Sequence, residues 1–113
     1  MTRPTFHLVP VEVWAGSDGS VAYEAAGYAR EGFIHCTDGV DALGATFDRH
    51  YGTDDRSFLA LTIDLDELDV PWRFDVPGSP YPHIYGRVRR EAITAVQRVE
   101  RGPDGRFVGL LPS

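Results

Sequence analysis

The chain has no lysine: all 11 of its basic residues are arginine. That excludes Schiff-base chemistry and the lysine of a phosphate-binding loop. It has one cysteine, Cys36, so no intrachain disulfide can form and nothing points to secretion. Long apolar runs are missing too. The opening "MTRPTFHLVP" reads neither as a signal peptide nor as a membrane span, and the expectation is a cytoplasmic protein. Positive charge is scarce, with 17 acidic residues against 11 basic and a net charge of −6. General nucleic-acid binding is therefore disfavoured, because that affinity comes mostly from neutralising phosphates.

What is present describes an ordinary globular chain. Its 113 residues suit one domain spanning 1–113, and 42% hydrophobic with 25% charged residues is enough for a core held by packing. Six arginines fall in the last third: Arg87, Arg89, Arg90, Arg98, Arg101 and Arg106. They read mostly as a solvated strand face and turns. The functional alternative is a small anion, since arginine grips phosphate or carboxylate bidentately.

"FHLV" (Phe6–Val9) reads as a first strand stopped by Pro10, with one helical turn over Val11–Ala15. Gly16–Ser20 is a loop, and Ala22–Arg30 is ambiguous, with a weak helix as one reading. "GFIHC" is a strand of mixed polarity. A helix is expected to start at Asp38, with Val40, Leu43, Phe47 and Tyr51 on one face and Gly52 at its end. Ser57–Leu65 is the clearest strand, placing Leu59, Leu61, Ile63 and Leu65 on one face. "WRFDV" is a short strand and "PGSPYP" a loop leading into "HIYG". "EAITAVQRVER" and "RFVGLL" form a hairpin across "GPDG". The sum is an α+β domain of short strands with one main helix, without the alternation of a doubly wound sheet.

Three of the four histidines, His7, His35 and His83, stand in apolar strand contexts: "FHL", "FIHC" and "YPHIYG". The fourth, His50, reads as a surface residue of the helix. A single histidine in such company is usually a satisfied core residue, but three suggest convergence on a pocket. No metal is expected, because the spacing is long and no acid stands within two residues of any of the three to orient its ring. His35 and Cys36 are neighbours on a strand and point to opposite faces, so they form no catalytic dyad; Cys36 reads as a small buried apolar residue. His35 and Thr37 then line a cleft with His7 and His83. Tyr81 and Tyr85 flank His83 at even spacing and supply an aromatic wall suited to a flat ring.

The segments "FHLV", "EGFIHCT", "LALTIDL", "WRFD" and "YPHIYG" followed by "EAITAV", in this order, resemble the uncharacterised bacterial family catalogued as domain of unknown function 952. The resemblance runs from Phe6 to about Val99. It implies a fold similar to ADP-ribosyltransferases: small split antiparallel sheets with NAD in the cleft between them. It implies that His7 holds the NAD ribose, that His35–Thr37 form the second-strand motif, and that "PHIYG" lies toward the third. The chain departs from the pattern of many such transferases. "YPHIYGRV" contains no catalytic glutamate, and Glu91 is the nearest. Histidine or arginine stands in its place in the tRNA-phosphotransferase branch. Ala25, Gly27 and Tyr28 replace the proline, serine and leucine expected upstream.

The expected function is thus an enzyme acting on NAD, a related nucleotide or a phosphate ester. His35 and His83 would serve as acid/base groups, and His7, Thr37, Tyr81 and Tyr85 as ligand contacts. The alternatives are a non-catalytic small-ligand module using the same cleft, and a Cys36-dependent transferase or hydrolase.

Overall fold

The computed structural model describes residues 2–112. Among them, seven strands form two antiparallel sheets. The larger has the order β1-β3-β6-β7, built from β1 (Pro4–Pro10), β3 (Phe58–Asp64), β6 (Ile93–Arg101) and β7 (Phe107–Pro112). The smaller has the order β2-β5-β4, built from β2 (Ile34–His35), β5 (Pro82–Ile84) and β4 (Trp72–Phe74). Three helices accompany them: α1 (Val11–Ala15), α2 (Tyr28–Glu31) and α3 (Val40–Tyr51). The fold is α+β, with two small antiparallel sheets and α3 as the one helix of substantial length. No helix among the described residues is long and apolar enough to cross a membrane.

β3 is buried on both faces rather than one. Leu59, Leu61 and Ile63 join Val9, Ile34, Cys36, Ile84 and Val88 in the main core, but Phe58 and Ala60 on the opposite face are equally buried. The cause is position. β3 lies between β1 and β6, and α3 covers the face that alternation leaves to Phe58. Leu43 and Phe47 of that helix are buried, and the Phe47 ring meets Phe58 edge-on at 5.3 Å. Gly44 lets the helix approach β7: a Cβ there would lie 2.8 Å from the Phe107 ring.

Other expectations shift at the boundaries. β3 ends at Asp64, whose carboxylate accepts the N–H groups of Arg3 at 2.9 Å and Asp66 at 3.1 Å and so starts a 3₁₀ turn at Leu65–Glu67. The residue flanking α3 is Gly39, not Asp38. Asp38 is diverted to an ion pair with Arg3 at 2.7 Å, while its N–H donates to Pro80 O. Gly39, at φ +83°, supplies the left-handed backbone that turns the chain into the helix. Of the ambiguous Ala22–Arg30 segment, only the last residues are helical. Tyr23 is instead buried and exchanges two backbone bonds with Val88, at 2.7 and 2.9 Å.

Thr5 on β1 is 1% exposed, and its hydroxyl has no hydrogen-bond partner among the described residues. Valine has nearly the same shape and removes the unsatisfied group. Thr5→Val is therefore expected to stabilise the fold by about 1 kcal/mol, seen as a higher urea midpoint with an unchanged slope.

Candidate functional site

The two sheets meet at one rung and then separate. Phe6 of β1 and Thr37, just beyond β2, exchange backbone bonds at 2.9 and 2.8 Å. In a continuing antiparallel ladder, Leu8 would next pair with His35. It does not. The His35 carbonyl instead accepts Nδ1–H of the His7 ring at 2.7 Å. Phe6 points its backbone groups away from β3, so by alternation Leu8 does too. Its N–H and C=O meet no protein partner among the described residues. The gap is a cleft of about 730 Å³ whose walls include Leu8, His35, Tyr81, His83 and the Thr46–Tyr51 end of α3. That volume lies within the range of small-molecule sites, roughly 300–1,000 Å³.

His7 is fully committed inside this joint. A carbonyl only accepts, so Nδ1 carries the ring proton. Nε2 therefore accepts from the Tyr23 hydroxyl, at 3.0 Å. Burial pushes the ring's pKa down to about 4. His7 lines the cleft, yet neither ring nitrogen is left to hold a ribose; its role is to fix the His35 backbone and Tyr23.

The three-stranded sheet explains why histidines reach the cleft. Ile34, Ile84 and Trp72 align in one cross-strand rung, with both isoleucines in the core. His35, His83 and Arg73 form the next rung and by alternation face the other way. His35 and His83 are thus direct cross-strand neighbours, ring centroids 5.3 Å apart. Phe33 stacks on His83 at 4.0 Å and meets His35 edge-on at 4.7 Å.

Each of these rings is held by its own carboxylate, contrary to the expectation drawn from sequence proximity. His35 Nε2 donates to Glu31 at 2.6 Å, and His83 Nδ1 donates to Asp75 at 2.7 Å. The acids come from four and eight residues away. Gly32, at φ +82°, ends α2 in a left-handed turn and folds Glu31 back over His35. Asp75 follows β4, beside β5, and also accepts from the Tyr85 hydroxyl and from Arg73 Nε at 2.6 Å. The Tyr85 and Arg73 bonds, followed by that of His83, hold its carboxyl well below the usual range. The His35 bond lowers Glu31 likewise. When neutral, His83 keeps Nε2 free and His35 keeps Nδ1 free: two imidazoles of fixed tautomer, side by side, able to divide acid and base duties. Among the described residues, no three His, Cys, Asp or Glu side chains gather as a metal site.

The remaining sequence candidates divide. Thr37 is buried at the joint and lines the cleft. Tyr81 lines it too, its hydroxyl 2.9 Å from Arg49 Nη2. Tyr85 does not join Tyr81 in a single aromatic wall. β5 ends at Ile84, and Tyr85 turns to Asp75 with its ring under the Arg73 guanidinium at 4.3 Å. Cys36 is buried in the main core, and burial pushes its thiol pKa up, so it carries no nucleophilic thiolate near neutral pH. His50 is exposed, as expected, yet also lines the cleft. The late arginines supply no anion site there. Arg87, Arg89 and Arg106 pair with carboxylates, Arg90 and Arg101 donate to backbone carbonyls, and none of the six lines the cleft.

No curated protein matches the chain. Two crystal structures of protein CC0527 from Caulobacter crescentus, one of them a double methionine variant, share its fold. Each is 16% identical, covers 94% of both chains and superposes with a TM-score of 0.74. The family model for "Protein of unknown function (DUF952)" matches residues 8–96, a span that holds both cross-strand histidines and their carboxylates; the chain belongs to that family.

Proposed function

We propose that the cleft binds NAD or a related nucleotide or phosphate ester, and that His83 and His35 act on it as an acid/base pair in an ADP-ribosyltransferase-like arrangement. The observation that carries this reading is the cross-strand pair itself: two histidines 5.3 Å apart, each fixed by a separate carboxylate, on the wall of a small-molecule-sized cleft. A purely structural pair has no need of two independent orienting acids. The opened rung adds support, since the free N–H and C=O of Leu8 match the amide edge of a carboxamide or a nucleobase. With NAD, water adds to the ribose C1′ as the bond to the nicotinamide nitrogen breaks. Nicotinamide leaves neutral, and His83 Nε2 takes the water's proton. With a phosphate ester, one ring takes the nucleophile's proton and the other protonates the leaving oxygen.

The test is incubation of the purified protein with NAD, following nicotinamide release by chromatography and the melting temperature in parallel. Turnover above the uncatalysed rate is the expected result. A raised melting temperature without release supports the non-catalytic ligand module instead. Neither effect removes NAD as the ligand.

A further inference from the structure

We propose that Arg49 and the Tyr81 hydroxyl form a phosphoryl-binding subsite at the α3 end of the cleft. The cleft is lined by two arginines, Arg49 and Arg56. Arg56 is spent on Asp54, at 2.7 Å, and on Glu12, at 3.6 Å. Arg49 makes no ion pair among the described residues; its contacts are Tyr81 and a long 3.5 Å approach to His50. Acids outnumber bases 17 to 11 in this chain, so a cleft-facing guanidinium without a carboxylate does not reflect a shortage of them. Five N–H donors leave most of its fork available to an anion.

Tyr81 completes the geometry. Its oxygen accepts from Arg49 Nη2 at 2.9 Å and from Thr46 Oγ1 at 3.4 Å, which leaves its own O–H to donate. The same two bonds lower the phenol's pKa and make it a better donor. A guanidinium fork and a phenol O–H stand side by side as several donors. A phosphoryl group offers three terminal oxygens to them, where a carboxylate offers two. Tyr81 stands two residues before His83, about 7 Å along an extended chain, so a phosphoryl group held here lies within one nucleotide of the histidine pair. The inference rests on the cleft being the ligand site and specifies the class of ligand group it holds.

The experiment uses inorganic pyrophosphate, which needs no nucleotide recognition, titrated into the full chain and followed by the arginine Nε–H resonances and by calorimetry. Saturable binding with a shift of the Arg49 resonance is expected. Arg49→Gln should weaken it at least tenfold and Tyr81→Phe several-fold, while Arg87→Gln, outside the cleft, leaves it unchanged. No saturable binding, an affinity unaltered by Arg49→Gln, or equal affinity for malonate would overturn the subsite. Pyrophosphate binding by a protein that neither binds nor cleaves NAD would sink the nucleotide reading alone. NAD turnover unaffected by Arg49→Gln, without pyrophosphate binding, would sink the subsite alone.

Discussion

Acidification from pH 6.5 to 4 is expected to remove about 3 kcal/mol of stability through His7 alone. The ring is 7% exposed and bonded through both nitrogens, and its pKa falls from 6.5 to about 4. Between those values the unfolded chain binds one proton that the native state refuses. The derivative of unfolding free energy with pH is then positive, so stability is complete above pH 6.5 and declines as pH falls toward 4. Protonation would force Nε2 to become a donor facing the Tyr23 oxygen, and the buried joint would carry an unpaired charge. Urea unfolding at half-unit pH intervals measures the slope. His7→Gln, compared at each pH, isolates the residue, because all other titrating groups are common to both proteins. The variant should be less stable at pH 7 but should lack the extra one-proton slope between pH 6.5 and 4. Parallel curves for the two proteins would show that His7 is not the titrating group. The joint also locates the consequence. If His7 is protonated, Nδ1–H still holds the His35 carbonyl, and the bond lost is the one Nε2 accepts from the Tyr23 hydroxyl.

Much of this arrangement was legible in the sequence, and the limits have physical causes. Alternation along "GFIHC" correctly sends His35 outward and Cys36 inward, because strand side chains alternate whatever the partner strand. The spacing of Leu43 and Phe47 finds the buried face of α3 for the same kind of local reason. The two-sided burial of β3 was hidden, since alternation along the strand does not record that α3, the element before it, folds back over Phe58. The orienting acids stand too far along the chain for sequence proximity to mark them. Glu31 stands four residues from His35, and only the left-handed turn at Gly32 brings it back; "EGFIH" did carry that mark, an acid and a glycine before a strand. Asp75 reaches His83 across the three-stranded sheet, which no spacing rule within "YPHIYG" records. His7 misled in a different way. Its apolar context marked it as special, but the same context supports a satisfied buried ring, and only the positions of the His35 carbonyl and the Tyr23 hydroxyl decide between them.

Replacing His83 with alanine is expected to lower turnover by about 10²–10⁴-fold, the usual contribution of a positioned acid/base group. His83 is half-buried at the cleft wall, with Nδ1 on Asp75 and Phe33 stacked against its ring, so Nε2 is its one reactive position. Asp75→Asn tests the orientation separately from the ring. Arg73, an obligate donor, holds one oxygen of the Asp75 carboxylate, and His83 and the Tyr85 hydroxyl share the other. An asparagine oxygen would stay on Arg73, which places its amide NH₂ at the position facing both His83 and the Tyr85 hydroxyl, and the hydroxyl can accept. Nδ1 must then accept, the proton moves to Nε2, and the ring can no longer take a proton from water or a hydroxyl. The expected signature is a large loss in kcat with KM little changed. His35→Gln should lower kcat less for NAD, whose nicotinamide leaves without needing an acid, than for a phosphate ester, whose leaving oxygen requires one. Thermal melts of each variant separate loss of chemistry from loss of fold. Turnover within a few-fold of wild type in a folded His83→Ala protein would leave the cross-strand histidines as wall residues and move the chemistry elsewhere in the cleft.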